Sequence, residues 1–161
     1  MTEENHNKFD IASSQLETAI GLFVSGRCRF SAITLAGAAD VILSQLVLNE
    51  GKEPFVDYVR AIVAATNGQT PPRGKMGTHI NNELNINALK HMDPKDDDFV
   101  QINPEECAVG SILKAVVNYK QLVEEEPGFI KAFMAWTWQN LDRERIMENY
   151  ENAPEEIKKK T

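Results

Sequence analysis

The sequence predicts an all-α fold, an antiparallel helical bundle of about five to six helices. Every sustained apolar pattern recurs at three- and four-residue steps, and strand signals are nearly absent. The breaks between patterns carry helix-stop chemistry, with Gly26, Gly51, the Pro71-Pro72 pair and Pro94 at the intervals. A chain of 161 residues that is 42% hydrophobic can bury a core without metal or disulfide staples. Residues 1–150 are expected to form a single helical domain, and residues 151–161 a flexible C-terminal tail.

The first segment, about residues 8–24, sets Phe9, Leu16, Ile20 and Phe23 on one face. Gly26 ends it. The second, about residues 30–48, is apolar around nearly its whole circumference, so it is expected to be the central and most buried helix. Gly37 and the neighbouring alanines would let other helices approach closely. Glu50-Gly51-Lys52 breaks the pattern, and Pro54 suits the first turn of a third helix running to about residue 65. Asn67-Gly68 and Pro71-Pro72-Arg73-Gly74 form the clearest loop.

A fourth helix is expected from Thr78, a candidate N-cap, to Met92, where Asp93-Pro94 stops it. Phe99, Val100 and Ile102 suggest a short extended piece. Asn103 then reads as an N-cap with Pro104 at the first helical position, opening a fifth helix whose core face is Val109, Ile112, Leu113, Val116 and Val117. Pro127 opens a sixth, with Phe129, Ile130, Phe133, Met134 and Thr137 at helical steps.

The net charge of −7 argues against general DNA binding or a membrane-surface role, both of which need clustered Lys and Arg. One stretch runs the other way: Arg60, Arg73, Lys75 and Lys90 stand against Glu83 alone. The most apolar window, residues 32–48, contains Asp40, Ser44 and Gln45 and reads as short of a membrane span. The N-terminus is polar and acidic rather than basic and then apolar. Together these predict a soluble cytoplasmic protein. Cys28 and Cys107 show no metal or disulfide spacing and are expected to be reduced, buried thiols.

Several chemistries lack their motifs. There is no phosphate-binding Walker loop, no dinucleotide glycine fingerprint, no HExxH and no GxSxG, so no cofactor is expected. The histidines are His6, His79 and His91, too few for a His-rich metal site, and Asp96-Asp97-Asp98 lacks calcium-loop spacing. No metal is expected. Asp40 stands out because it falls in the most apolar helix, where it must face a groove or pair with a cation such as Arg27, Arg29 or Arg60. Trp136 and Trp138 cannot share one helix face, so one should be core and the other available to a partner.

The stretch HINNELNINALKHMDP raises the sharpest question, because Asn is a mediocre helix former and four of them recur here. On one helix Asn87 and His91 would share a face, placing a titratable imidazole beside a polar group. Capping of the last helix carbonyls is the competing use of such a histidine.

Asn87-Ala88-Leu89-Lys90-His91 resembles the signature of the HEPN superfamily, helical proteins with a motif of Arg, a polar residue, three others and His. The order of helices is similar too, including the Ala-rich SAITLAGAADVIL and the helix beginning NPEECAVGSILKAVV. The resemblance implies a homodimer and metal-independent RNA cleavage at its interface, with His91 in acid–base work and Asn87 as the polar residue. At the motif's Arg position this chain has Ile86, which neither donates hydrogen bonds nor neutralises charge. The expectation is therefore a noncatalytic HEPN-like dimer that binds a protein, nucleotide or RNA partner through Asn85, Asn87, Lys90 and the nearby Arg73 and Lys75. The alternative is a HEPN-type endoribonuclease of the toxin or stress-response kind using His91, with Arg73 or a partner's cation as substitute. On the sequence alone, Ile86→Arg would be the substitution to restore cleavage.

Overall fold

The computed structural model describes residues 2–92 and 98–141. Among these residues there are six helices and no strand: α1 (Lys8–Val24), α2 (Arg29–Asn49), α3 (Phe55–Asn67), α4 (Arg73–Glu83), α5 (Pro104–Lys120) and α6 (Gly128–Asn140). The expected stop at Asp93-Pro94, Asp96 and Asp97, the domain end at 150 and the tail beyond it lie outside the described residues. The extended piece expected near Phe99 has no strand pairing, and Phe99 is 85% exposed.

The helix starts follow local chemistry. Asn7 caps α1, its Oδ1 accepting from the Phe9 N–H at 2.8 Å. Asn103 caps α5, its Oδ1 accepting from the Glu106 N–H at 3.3 Å, with Pro104 at the first position. Glu105 and Glu106 then sit in the first turn, where the helix dipole favours carboxylates.

Two helix ends share one device. α1 and α2 stop on Gly26 and Gly51, at φ of 70° and 71°. The Gly26 and Arg27 N–H groups return to the carbonyls of Phe23 and Leu22 at 3.0 and 2.9 Å. Those of Gly51 and Lys52 return to Leu48 and Val47 at 2.9 and 3.0 Å. This is the Schellman arrangement, and it needs a residue that tolerates the left-handed region.

α2 packs against α1 and α5, and α6 closes over α1. The core joins Leu16, Ile20 and Phe23 of α1 to Ile33, Ala36 and Leu43 of α2, Ile112 and Val116 of α5, and Ile130 and Phe133 of α6. Each fully buried Leu, Ile or Phe contributes about 1.5–3 kcal/mol. Phe23 anchors α6 through edge contacts to Phe133 and Trp136, at ring distances of 5.9 and 4.6 Å. Trp136 is half-buried and Trp138 exposed, the division that their spacing predicts.

Three expectations are corrected. The most buried helix is α5, with ten of its 17 residues buried, against eight of 21 in α2. The apolar circumference of α2 exceeds what its neighbours cover, leaving Phe30 and Val41 exposed. By length and composition α2 is also long and apolar enough to cross a membrane, contrary to the sequence reading, although one face of it is built into the core. Cys107 is buried, but Cys28 is an exposed N-cap of α2 whose Sγ accepts from the Ser31 N–H and hydroxyl at 3.4 and 3.1 Å. Those bonds, the hydroxyl first, hold the Cys28 thiol below its ordinary pKa.

Candidate functional site

The Asn-rich stretch is not one helix. α4 runs earlier than expected, Arg73–Glu83, and ends on Leu84 as C-cap. Asn85 follows at φ 55°, the one non-glycine at positive φ among the described residues. Its N–H returns to Asn82 O at 2.9 Å and the Ile86 N–H to Asn81 O at 2.9 Å. Asn85 thus occupies the place that Gly26 and Gly51 hold in α1 and α2, and Asn is the side-chain-bearing residue best suited to it. A second helical turn then starts, with the Leu89 N–H on Asn85 O at 3.1 Å and the His91 N–H on Asn87 O at 3.0 Å. The Asn87–His91 backbone relation predicted by helix spacing holds, but in this separate turn.

The four asparagines divide the work. Asn81 Oδ1 accepts from Lys114 Nζ at 2.7 Å, and Asn82 Oδ1 accepts from Asn87 Nδ2 at 2.7 Å, bridging the break. Asn85 Nδ2 donates to Cys107 Sγ at 3.5 Å. Between these polar anchors Ile86 turns inward and is 1% exposed. It rests on Gly37 of α2 so closely that a Cβ there would lie 2.7 Å from Ile86 Cγ2. The residue at the motif's Arg position is therefore a core side chain.

Asp40 is 3% exposed, and its partner is Lys114 of α5, at 2.5 Å, rather than Arg27, Arg29 or Arg60. Its other oxygen accepts from Asn118 Nδ2 at 2.7 Å, and Asn118 Oδ1 accepts from the Phe55 N–H at 2.8 Å. One buried polar network thus ties α2, α4 and α5 to the start of α3. A buried ion pair persists only when its remaining hydrogen-bonding capacity is met, which Asn81 and Asn118 do here. Arg29 instead pairs with Glu105 and lies over the Phe23 ring at 4.4 Å. Lys114 and Asn118 were missed by sequence reasoning. Their signal is the polar stripe Cys107, Ser111, Lys114, Asn118, stepping by four, three and four along the buried face of α5.

Arg73 is paired with a carboxylate while its side chain stays 48% exposed. It forks onto Asp57, Nε to Oδ1 at 3.0 Å and an outer nitrogen to Oδ2 at 2.7 Å, while Arg60 holds Oδ1 at 2.7 Å. Asp57 precedes the stretch that reads as locally positive and neutralises part of it. Arg73 and Lys75 also stand at the opposite end of α4 from Asn85, roughly 18 Å along the axis for 12 residues at helical rise. The structure brings Asn85, Asn87, Lys90 and His91 together in one turn and leaves Arg73 and Lys75 elsewhere.

The clamp has a pH consequence. Arg73 first, and then Arg60, hold the Asp57 carboxyl below its usual 3.8. A carboxyl with a depressed native pKa stabilises the fold above its unfolded pKa, and that contribution is lost as pH falls through the native one. Asp57→Asn is expected to cost about 1 kcal/mol at neutral pH, because Arg73 is half exposed, and to flatten the loss of stability below about pH 4. Chemical denaturation at pH 7 and pH 3 checks this; an unchanged acid slope contradicts the clamp.

Around the second turn, His91 and Met92 are exposed. No side-chain hydrogen bond or ion pair engages His91 among the described residues. Lys90 is pushed below its ordinary pKa by burial first and then by the charge of Lys114, with Asp40 opposing. An open, polar-lined cleft of about 600 Å³ lies between Glu83, Asn85, Gln101, Asn103 and Cys107. Among the described residues no three His, Cys, Asp or Glu side chains are grouped to hold a metal ion. The cleft offers amide and carboxylate groups, Glu106 among them, and Lys90 stands outside its lining. Compared with family models, curated proteins and solved structures, the chain has no match.

Proposed function

We propose that this chain is a noncatalytic, HEPN-like homodimeric helical protein of the antiparallel bundle type, whose Asn-rich turn binds a protein partner. The burial of Ile86 against Gly37 carries the noncatalytic reading. RNA cleavage needs a group that meets the charge developing on phosphate, and loss of such a group commonly costs on the order of a hundredfold or more in rate. At the motif position that group is a core isoleucine, and the nearest arginine in sequence is occupied by Asp57. A protein partner is favoured over a nucleotide or RNA because the exposed flanks are apolar, Met92 at 69% and Phe99 at 85%.

The test is cleavage of structured and unstructured RNA, with and without divalent cations. The expected result is no robust cleavage by wild type and no change in His91→Ala. Efficient cleavage that disappears in His91→Ala would overturn this reading in favour of a His91-dependent endoribonuclease.

A further inference from the structure

We infer that residues 55–83, α3 and α4 with the loop between them, form a lid over the Asp40–Lys114 pair that detaches as one unit while the rest of the bundle stays folded. This stretch contains a single buried side chain, Met76, whereas α5 alone buries ten. α3 buries none of its 13 residues, and it packs on α4 and to a lesser extent on α5. Segments with few buried apolar contacts are those that open at the smallest free-energy cost.

The ends of the lid are pinned. Before it, Pro54 is fully buried, and Lys52 Nζ donates to Gln121 O at 2.6 Å. After it, Leu84 lies against Gly110 of α5 and Ile86 against Gly37 of α2, so closely that a Cβ at either glycine would meet them at 2.5 and 2.7 Å. Between these posts the hold on the core is slight. Asn81 Oδ1 accepts from Lys114 Nζ at 2.7 Å, the Phe55 N–H donates to Asn118 Oδ1 at 2.8 Å, and the Cys107 thiol approaches Glu83 O at 4.0 Å.

Inside the lid the ties are denser. Asp57 binds both Arg60 and Arg73, and Arg60 Nε also donates to Pro71 O at 2.8 Å, so α3, the loop and the start of α4 hold one another. Loss of one part undoes the rest, because helices of 13 and 11 residues are marginal in water once detached. The two short outer bonds end on Lys114 and Asn118, so opening admits water to Asp40, Lys114 and Asn118 together. Burying that ion pair is itself costly, which narrows the gap between closed and open states. The chain thus carries a carboxylate, an ammonium and an amide that solution reaches when the lid is off.

Native-state hydrogen exchange of the full chain, read beside acetylation of Lys114 by a water-soluble succinimidyl ester, tests this. In wild type the amides of α3 and α4 should share one opening constant and be about a hundredfold or more less protected than the buried amides of α5. Asn81→Ala removes a charge-assisted bond from α4 alone, yet should speed exchange in both α3 and α4, and Lys114 acetylation, by one common factor of about tenfold or more. Ile130→Val, in the core outside the lid, should speed exchange of the α5 amides about threefold to tenfold and leave α3, α4 and Lys114 acetylation within about twofold of wild type. Protection of α3 and α4 equal to that of α5 overturns the proposal, and so does an Asn81→Ala effect confined to α4. Lys114 acetylation that accelerates with Ile130→Val would mean exposure by global unfolding alone, and overturns it too.

Discussion

Lys114→Ala is expected to lower the unfolding free energy by about 3–5 kcal/mol, the cost of stranding one member of a buried ion pair. Asp40 would stay enclosed with Asn118 as its remaining donor, and Asn81 would lose the ammonium that binds the end of α4 to α5. The effect should be smaller when both charges are removed together. Asp40→Leu with Lys114→Met is expected to recover part of the loss, because burying two charges is itself costly, while Asn118, 1% exposed, is left without the acceptor for its side-chain N–H. Urea titration of the two single variants and the double variant measures this coupling. A Lys114→Ala loss below about 1 kcal/mol would mean that the pair is solvated rather than enclosed.

Ile86→Arg is expected to cost about 4 kcal/mol or more, enough to unfold much of a protein of ordinary stability. The guanidinium would enter a site with 1% exposure, against a helix whose Gly37 already permits only hydrogen at the contact. It would displace a packed apolar side chain without meeting a carboxylate, since Asp40 is already bonded to Lys114 and Asn118. Thermal unfolding checks this, and a melting temperature equal to wild type would show that position 86 opens to solvent.

The start of α5 and the stops of α1 and α2 were legible because their chemistry is local. Asn103 and Pro104 act within a few residues of themselves, and so do the glycines at 26 and 51. The start of α4 was not: it lies at Arg73, with Thr78 inside the helix rather than capping it. The break at Asn85 was hidden by the same local rules. Asn is both a weak helix former and the residue that most readily replaces Gly in the left-handed region, so the composition fits a continuous polar helix and a Schellman stop equally well. The apolar residues Ile80, Leu84 and Ile86 did not separate the two, because the residue two beyond the C-cap in such a stop also turns toward the core.

The site was less legible, for a tertiary reason. Asp40 announced a need for a cation, but nothing near it in sequence indicates that Lys114 supplies it from α5 while Arg29 turns to Glu105. The basic character of the stretch from Arg60 to Lys90 depended on where counting began. Asp57, three residues earlier than Arg60, binds both of its arginines. Likewise, the apolar circumference of α2 predicted burial, while the number of helices that surround it is set by topology.

The measurement that bears most directly on the role of the Asn-rich turn is RNA cleavage by Ile86→Arg, read beside its folded fraction by circular dichroism. The expected result is a destabilised protein with no His91-dependent cleavage, because position 86 belongs to the core and not to a catalytic groove. A stably folded Ile86→Arg that cleaves RNA, and loses that activity when His91→Ala is added, would contradict it.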